Sequence, residues 1–412
     1  MITKLTGTIQ PYGWGSRTVI PDLLGVPPTG KPQAELWFGA HPLAPSQAAG
    51  RLLTELIAED PEGIIGAAPV AEFGPRLPYL VKIIAADQPL SLQAHPSRAQ
   101  AEAGYAREQA AGIPRDAPNR TYRDGWPKPE VLCALAPTEA LYGFREPDET
   151  YALFERLGVP AAVDLVAELA DSSAPPQDRL CRVFGRLLRL SDSERSVVRE
   201  VAAVAASICS GETGRLGDPG PSDALRDFAA TAVELSSFYP SDPGVLAALL
   251  MNRLSLERYD AIFLPPGNLH AYLRGCGVEI MANSDNVMRG GLTPKFVNVD
   301  ELLKVLDFTP GFPGLITPVL EAPGVWHYPT PAEEFAFWRL EVGIDTIELP
   351  GNGTGRIVLV TDGSVTLASG TAEELSLHRG QSALVTAAEQ VQLSGTADVF
   401  VGAPGGVTEG ER

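Results

Sequence analysis

Hydrophobic positions in the first 145 residues fall in short runs that glycine and proline interrupt. Such runs lie at 7–10, 34–39, 77–84 and 130–135, and this punctuation is typical of β-strands joined by irregular loops. One segment differs, because Ser97 to Ala111 is rich in helix formers and opens with a serine that can cap a helix. We therefore predict an N-terminal region of strands with one helix over 97–111.

The pattern changes near Pro147, where apolar residues begin to recur at helical spacing. It predicts helices over 148–157, 161–169, 177–190, 191–210 and 221–238. A glycine- and proline-rich break from Ser210 to Pro221 indicates a surface loop between the last two. The middle of the chain is therefore predicted to be an all-helical insertion.

Strand-like punctuation resumes at 259–267 and continues to about residue 405. Runs at 356–360, 363–367, 382–386 and 391–393 predict short strands, with a turn at Thr361 to Gly363 joining the first two. Several short strands at regular spacing favour a sandwich or a jelly roll.

Length and charge narrow the class of protein. A chain of 412 residues exceeds the usual size of a single core, so two or three packed units are expected. A net charge of -19 argues against nucleic acid or an anionic membrane as a partner. An anionic small substrate would need a local cluster of cations inside a pocket. The four cysteines have no paired spacing, and no long apolar segment is present, so we expect a soluble cytoplasmic protein with free thiols.

The first candidate chemistry lies in Leu90-Ser91-Leu92-Gln93-Ala94-His95-Pro96. If this run is a strand, side chains at i and i+2 share one face, so Gln93 and His95 point at the same place. An amide oxygen and an imidazole begin a metal site without completing it, because about four donors are expected.

Two further segments can supply the missing donors. Prolines on both sides of Lys128 stiffen the segment that leads to Glu130, and a tight turn leads to His270. The two nitrogens and two oxygens suit Zn better than Mn, Co or Fe. Each residue taken alone also has a reading without a metal. A lone buried histidine is usually a hydrogen-bonded core residue, and Glu130 alone could be a solvated charge.

The segment from Gly277 to Lys295 crowds polar residues among small ones, which is typical of a loop that lines a pocket. Arg289 and Lys295 offer cations that could hold a phosphate or stabilise an oxyanion. The competing reading is an ion pair between Arg289 and Asp285.

At this point the sequence resembles type I mannose-6-phosphate isomerase, also called phosphomannose isomerase. The matching segments lie in order over most of the chain and are Ile2 to Leu5, Tyr12 to Ser16, Ala34 to Trp37, Gly39 to Pro42, Gln88 to Pro96, Lys128 to Glu130, Gly267 to Tyr272 and Ala282 to Lys295.

The resemblance implies a mainly β protein of two cupin-type jelly rolls plus a helical domain. The catalytic jelly roll would occupy 1–146 and 256–328, the helical insertion 147–255, and a C-terminal jelly roll 329–412. It also implies one zinc ion per chain and the interconversion of mannose 6-phosphate and fructose 6-phosphate, with monomeric chains expected. His378 is the one soft ligand in the C-terminal unit, which is therefore expected to be structural.

The resemblance further assigns roles to individual residues. Counterparts of Gln93, His95, Glu130 and His270 bind the metal, and those of Arg289, Lys128, Glu279 and Asp285 lie in the active site. Those of Ser91, Lys82 and Lys295 hold the phosphate or support the site.

The reaction needs a base that moves a proton between C1 and C2. We favour Lys128, with Glu279 as the competitor. Many bacterial members have a histidine directly before the Lys-Pro-Glu unit, where this chain has Pro127. Ring opening would then fall to His41, to a water on the metal or to another group, or it would occur spontaneously.

Two other function classes remain at this stage. A cupin metal oxygenase would use a similar two-histidine site but would not need a cation cluster. A non-catalytic sugar-phosphate-binding protein would keep the pocket and lack turnover.

Overall fold

A computed structural model describes residues 1–211, 222–370 and 372–406 of the chain. The described part is mainly β, with helices concentrated in its middle. Its first portion forms these strands and helices: β1 (Ile2–Thr6), β2 (Thr8–Gln10), α1 (Val19–Leu24), β3 (Glu35–Gly39), β4 (Gln47–Ala48), β5 (Arg51–Leu52), α2 (Leu53–Glu59), α3 (Pro61–Ile65), α4 (Ala67–Phe73), β6 (Tyr79–Ala86), β7 (Gln93–Ala94), α5 (Arg98–Ala110), β8 (Glu130–Ala134) and β9 (Thr138–Phe144).

The predicted helix over 97–111 is confirmed as α5, and Ser97 caps it by accepting a hydrogen bond from the Gln100 N–H at 3.3 Å. The prediction of a single helix in this region is wrong, because α1 to α4 are also helical. Each of these four has seven residues or fewer, which is too short to show a helical period. Their ends are instead fixed by local signals such as Asp60, which caps α3 through the Gly63 N–H.

The middle of the chain is helical, as predicted. It contains α6 (Pro147–Leu157), α7 (Pro160–Leu165), a 3-10 helix (Ala167–Ala170), α8 (Pro176–Leu188), α9 (Ser196–Ser210), α10 (Asp223–Phe238) and α11 (Gly244–Ala248). Buried apolar side chains from these helices form one core with strand residues such as Leu141 and Leu273. Of the loop predicted from Ser210 to Pro221, residues 212–221 lie outside the described part of the chain.

The remainder of the chain returns to strands and contributes one more helix. Its elements are β10 (Met251–Leu256), β11 (Ala261–Leu264), β12 (His270–Ala282), β13 (Met288–Arg289), α12 (Val299–Val305), β14 (Val319–Ala322), β15 (Val325–His327), β16 (Ala336–Val342), β17 (Ile347–Glu348), β18 (Arg356–Ala368), β19 (Leu375–His378), β20 (Ser382–Val385) and β21 (Gln392–Ala403).

The turn predicted at Thr361 to Gly363 is wrong. The two predicted strands are one strand, β18, whose pairing with β21 shifts by a residue between Val360 and Asp362. This shift is a β-bulge, and glycine allows it, since a Cβ at Gly363 would lie 2.1 Å from the Thr396 carbonyl oxygen. A turn and a bulge share the same glycine signal in a sequence.

The strands make two antiparallel sheets. The ten-stranded sheet has the central order β10-β9-β12-β6-β3-β2, and β8 and β7 also pair with β12. The eleven-stranded sheet has the order β14-β15-β16-β21-β18-β20-β1-β4-β5, so the chain opens in this sheet before it enters the other. One apolar cluster contains side chains from both sheets, and the Tyr79 hydroxyl in β6 donates to the Gly402 carbonyl in β21 at 2.8 Å. The two sheets therefore share a core.

No helix in the described ranges combines the length and apolar composition that a membrane crossing requires. The thirteen-residue β12 is the central element for the site, because it pairs with four other strands.

Candidate active site and metal centre

Strand β12 brings three remote polar segments together. At its start His270 lies opposite Gln93 of β7, and near its end Met281 lies opposite Glu130 of β8. The possible ligand atoms of His95, Glu130 and His270 all lie within 4.8 Å of one another, and all three residues are buried. No other described group of three or more histidines, cysteines and carboxylates meets this criterion.

The carboxylate of Glu130 lies between the two imidazoles. Its Oε2 is 3.4 Å from His95 Nε2 and 3.4 Å from His270 Nε2. Its other oxygen, Oε1, is 2.8 Å from Lys128 Nζ. Two ring nitrogens and one carboxylate oxygen therefore face a common point, with an ammonium group on the far side of the carboxylate.

Both imidazoles are held by backbone carbonyl groups. His95 Nδ1 lies 2.6 Å from the Asn286 carbonyl oxygen, and His270 Nδ1 lies 3.2 Å from that of Asn268. A carbonyl oxygen only accepts, so each Nδ1 carries the hydrogen and each Nε2 presents its lone pair to the common point. His95 Nε2 is buried with no hydrogen-bond donor in the described structure. An orphaned lone pair of this kind fits a metal ion.

The electrostatics of the group also suit a cation. Burial, helped by Lys128, lowers the pKa of His95 to about 4, so the ring is neutral and able to bind metal. Burial by itself would raise the pKa of Glu130, but Lys128 and His95 bring it well below its usual range. The site thus holds a neutral His95 imidazole and an ionised Glu130 carboxylate, the protonation states that a divalent metal requires.

A second polar cluster lies beside the first. Lys82 Nζ is 3.1 Å from Glu279 Oε2 and 3.7 Å from Glu35 Oε2, and the Tyr272 hydroxyl donates to Glu279 Oε1 at 2.9 Å. Burial would lower the pKa of Lys82, but Glu35 and Glu279 raise it above its usual value. Burial raises the pKa of Glu279 against the opposing effect of Lys82. The charge of Lys82 is therefore already compensated by carboxylates.

A cleft of about 440 Å³ opens in front of these groups. Gln93, Lys82 and Lys128 line its inner wall, and Ser91 lies in the same lining. Three cations stand around it, namely Arg123, Arg289 and Lys295, and we call them the cation rim. None of the three forms an ion pair with a carboxylate of the described residues.

The members of the cation rim act on one another. Burial and the charge of Arg123 both lower the pKa of Arg289. Burial lowers the pKa of Lys295 as well, with Arg289 and Arg123 adding to the effect. Three mutually repelling cations without carboxylate partners, in a protein of net charge -19, indicate a site for an anion.

Arg123 is the member of the rim that sequence reasoning missed. It precedes the Lys-Pro-Glu unit in an irregular segment without a motif of its own. The side chain of the fully buried Asn286 fixes this segment, because its Oδ1 accepts the Arg123 N–H at 2.7 Å and its Nδ2 donates to the Trp126 carbonyl at 2.9 Å. Since the Asn286 carbonyl also holds His95, one residue organises both the metal ligands and the rim.

Asp285 also lines the cleft, but its partners are His41 and Arg115 and not Arg289. His41 Nδ1 accepts a hydrogen bond from the Leu43 N–H at 3.2 Å, so Nε2 carries the hydrogen and donates it to Asp285 Oδ1 at 3.1 Å. Burial would raise the pKa of Asp285, yet the hydrogen bond from His41 lowers it. The ion pair considered for Arg289 and Asp285 is absent from the described structure, and Arg289 is left free for a ligand.

A larger cavity of about 1060 Å³ lies in the eleven-stranded sheet. Both arginines that line it are paired, since Asp398 contacts Arg339 at 3.0 Å and Arg258 at 3.3 Å. None of its lining residues is a histidine. We therefore place the chemistry at the smaller cleft, because Gln93 and Lys128, the neighbours of His270 and Glu130, line it together with cations that have no carboxylate partner among the described residues.

Comparison with known proteins identifies relatives of the whole chain. A model of the family "phosphomannose isomerase type I, catalytic domain" matches residues 2–147. The mannose-6-phosphate isomerase of Escherichia coli (strain K12) is 36% identical over 394 residues, covering 94% of this chain and 95% of that protein. The human mannose-6-phosphate isomerase is 30% identical over 421 residues, covering 95% of each.

Solved structures give the same result at the level of the fold. A mannose 6-phosphate isomerase from Salmonella typhimurium, bound to its substrate fructose 6-phosphate and to zinc, superposes with a TM-score of 0.85 at 33% identity. The match covers 98% of this chain and 99% of that one. A mannose 6-phosphate isomerase bound with zinc and yttrium gives a TM-score of 0.86 over the same shares of both chains.

Proposed function

The chain belongs to the type I phosphomannose isomerases, and from that premise we propose that it interconverts mannose 6-phosphate and fructose 6-phosphate with the help of one zinc ion. A single observation carries the proposal. The buried group of His95, Glu130 and His270 adjoins, through Lys128 and Gln93, a cleft lined by three cations that have no carboxylate partner among the described residues. A sugar phosphate has hydroxyl and carbonyl oxygens for the metal and a dianion for the cations.

We assign zinc binding to His95, Glu130, His270 and Gln93. The first three present the donor atoms described above, and Gln93 lies opposite His270 in the neighbouring strand. Two nitrogens and two oxygens match the ligand preference of zinc. When bound, zinc stabilises the negative charge that develops on a substrate oxygen during isomerisation.

For the proton transfer between C1 and C2 we favour Lys128. Once the ammonium group has released a proton to solvent, the neutral amine takes the proton from one carbon of the open-chain sugar, which leaves an enediolate, and returns it to the other carbon. Lys128 lines the cleft, whereas Glu279 is absent from the lining and is held by Lys82 and Tyr272. Glu279, the alternative candidate for the base, instead forms an ion pair with Lys82, and we assign this pair to the support of the site.

The phosphate is assigned to the cation rim, with Ser91 as a hydrogen-bond donor beside it. Arg289 ends the short strand β13, Lys295 lies in the segment that follows it, and Arg123 comes from the loop before β8. A planar guanidinium can bind phosphate oxygens in pairs, which fixes the distal end of the sugar. Binding energy at that end can then be used to orient C1 and C2.

Ring opening is assigned to the His41 and Asp285 pair. Pro127 has no group that transfers protons, while His41 and Asp285 both line the cleft and share a hydrogen bond. This pair can deliver a proton to one ring atom and accept one from another.

The finer description of the fold belongs to the same proposal. We infer that the catalytic unit, 1–146 with 256–328, and the C-terminal unit, 329–412, are both of the cupin jelly-roll type. Residues 147–255 are inserted as a helical domain, whose last residues, from Met251, already belong to strand β10. Antiparallel strands in two large sheets support this reading. The substrate is a small sugar phosphate, and monomeric chains in the cytoplasm remain our expectation.

The test is a coupled assay for fructose 6-phosphate produced from mannose 6-phosphate. Activity should disappear with a chelator and return with zinc. Zinc-loaded, folded protein that does not turn over would contradict the proposal. Tight binding of mannose 6-phosphate without turnover would identify a binding protein, and oxygen uptake would identify an oxygenase.

A further inference from the structure

We propose that Asp242, in the helical insertion, is a positioning residue that sets the affinity of the active site for phosphate. It would act through the phosphate loop, defined as residues 289–295, which carries Arg289 and Lys295. The inference rests on the proposed function, because it concerns the same cleft. It gives the helical insertion a part in substrate binding.

The carboxylate of Asp242 joins two parts of the chain. Its Oδ1 accepts the Gly244 N–H at 2.7 Å, at the start of α11, and its Oδ2 accepts the Thr293 N–H of the phosphate loop at 3.1 Å. Hydrogen bonds to an ionised acceptor are about twice as strong as neutral ones. Asp242 therefore ties the insertion to the residue two positions before Lys295.

The two backbones lie in direct contact at this point. A Cβ placed on Gly244 would be 2.6 Å from the Leu292 nitrogen, and one placed on Gly291 would be 2.5 Å from the Gly244 Cα. Gly291 has a φ of 112°, and the next residue, Leu292, has a φ of 55°, which is unfavourable for a side chain of its size. Such a backbone persists only where the surroundings hold it, and Asp242 contributes to that hold.

The opposite end of the loop is held by different contacts. Gly290 N–H donates to the Leu92 carbonyl at 2.8 Å, and Leu92 N–H donates to the Gly291 carbonyl at 3.2 Å. Arg289 is paired with Gln93 in the short ladder of β13 and β7. Arg289 is thus fixed by the strands of the metal site, whereas the Lys295 end depends on the insertion.

The insertion also contributes directly to the cleft. Tyr239, three residues before Asp242, lines it, and its hydroxyl donates to the Pro89 carbonyl at 2.9 Å. The Asp242 N–H in turn donates to the Tyr239 carbonyl at 3.2 Å. Losing the Asp242 carboxylate should therefore loosen the Lys295 end of the loop while leaving the metal ligands and Lys128 in place.

The experiment compares Asp242→Ala and Asp242→Asn with the zinc-loaded wild type. For Asp242→Ala we expect the KM for mannose 6-phosphate and the dissociation constant of inorganic phosphate, measured by calorimetry, to rise about tenfold. The kcat should change less than about threefold. Asp242→Asn keeps one acceptor oxygen and should fall between Asp242→Ala and the wild type.

The matched control is Asp171→Ala. Asp171 also belongs to the helical insertion and accepts a backbone N–H, that of Ser173 at 3.1 Å, but its partners Ser173 and Arg182 lie outside the phosphate loop. This variant should leave KM, kcat and phosphate binding unchanged.

Two results would overturn the inference. One is a folded Asp242→Ala or Asp242→Asn enzyme with wild-type KM and phosphate binding, and the other is a fall in kcat at unchanged KM. If Asp242→Ala does not fold, Asp242→Asn alone decides. An inactive wild type would contradict the proposed function instead, and the phosphate calorimetry would still report on Asp242.

Discussion

The two sheets of this protein are built from the same kind of strand but bury different residues. The ten-stranded sheet buries side chains that are charged or able to bind metal, among them Glu35, Lys82, Glu130, His270 and Glu279. The eleven-stranded sheet buries mainly aliphatic side chains, such as Val358, Val360, Leu393 and Val399, together with Arg356, whose guanidinium donates to backbone carbonyl groups such as that of Thr386.

The ten-stranded sheet therefore provides the residues for chemistry, and the eleven-stranded sheet mainly contributes to stability. A buried charge costs free energy that its partners, such as Glu279 beside Lys82, only partly return. An aliphatic interior carries no such cost and contributes to stability with each buried side chain. Because the sheets share a core, the aliphatic sheet can support the strands on which the polar site depends.

The largest effect is expected when the metal site loses its carboxylate. Glu130→Ala removes the oxygen that faces both imidazoles, so zinc should be lost and activity should fall to background. Zinc content after dialysis and the isomerase assay are the measurements. Glu341→Ala, an exposed carboxylate in the eleven-stranded sheet, is the control and should keep full activity. If Glu130→Ala kept its zinc and its turnover, the ten-stranded sheet would not hold the metal site in the way described.

Lys128→Ala should lower kcat by about 10²- to 10⁴-fold, the usual contribution of a general base. Zinc should be retained, because the side chain contacts Glu130 from the side away from the histidines. Lys304→Ala, at an exposed lysine paired with Glu301, is the matched control. Near-normal turnover in Lys128→Ala would shift the role of base to Glu279.

Arg123→Ala should raise the KM for mannose 6-phosphate about 10- to 100-fold with a smaller change in kcat. The expected loss corresponds to a hydrogen-bonded charge at the phosphate, about 1.5 to 3 kcal/mol. Steady-state kinetics give the answer, with Arg226→Ala on the exposed face of α10 as the control. An unchanged KM would exclude Arg123 from the cation rim's function.

The stability of zinc-free protein should fall as the pH is lowered from 6.5 to 4. Burial lowers the pKa of His95 from 6.5 to about 4, so within this window the unfolded chain binds a proton that the folded chain does not. The free energy of unfolding should fall by about 3 kcal/mol over this window. Urea unfolding of the wild type and His95→Gln measures it, with the exposed His378→Gln as the control. Equal pH slopes for the wild type and His95→Gln would contradict the expectation.

The smallest effect on activity is expected in the aliphatic sheet. Val399 is fully buried in β21, and Val399→Ala should lower the free energy of unfolding by about 1 to 3 kcal/mol. The kcat and KM of the folded variant should stay at wild-type values. A variant that folds normally but has lost turnover would show that the eleven-stranded sheet contributes to catalysis as well as to stability.

Much of the site could be predicted from the sequence because its residues sit in short, unusual segments. His95, Glu130 and His270 each lie within three residues of a proline or a glycine. Their side-chain types, taken as a set, predicted one metal site from the sequence alone. The structure brings these three together. The helices in the middle of the chain were equally predictable, because several of them are long enough to show a period.

Other features could not be predicted. Helices α1 to α4 are too short for periodicity, and the bulge in β18 carries the same glycine signal as a turn. Arg123 stands in no motif, and its place in the cation rim depends on Asn286, a residue 163 positions away.

The sequence by itself determined the kinds of chemistry available, since side-chain type and local spacing decide which residues can bind a metal or a phosphate. The tertiary structure alone decided which charges are free. Lys82, Arg289 and Arg123 look alike in a sequence. Lys82 is paired with buried carboxylates, whereas Arg289 and Arg123 line the cleft without an ion-pair partner among the described residues. The physical reason is that electrostatic balance depends on distances across the fold, and the pattern of a sequence does not record those distances.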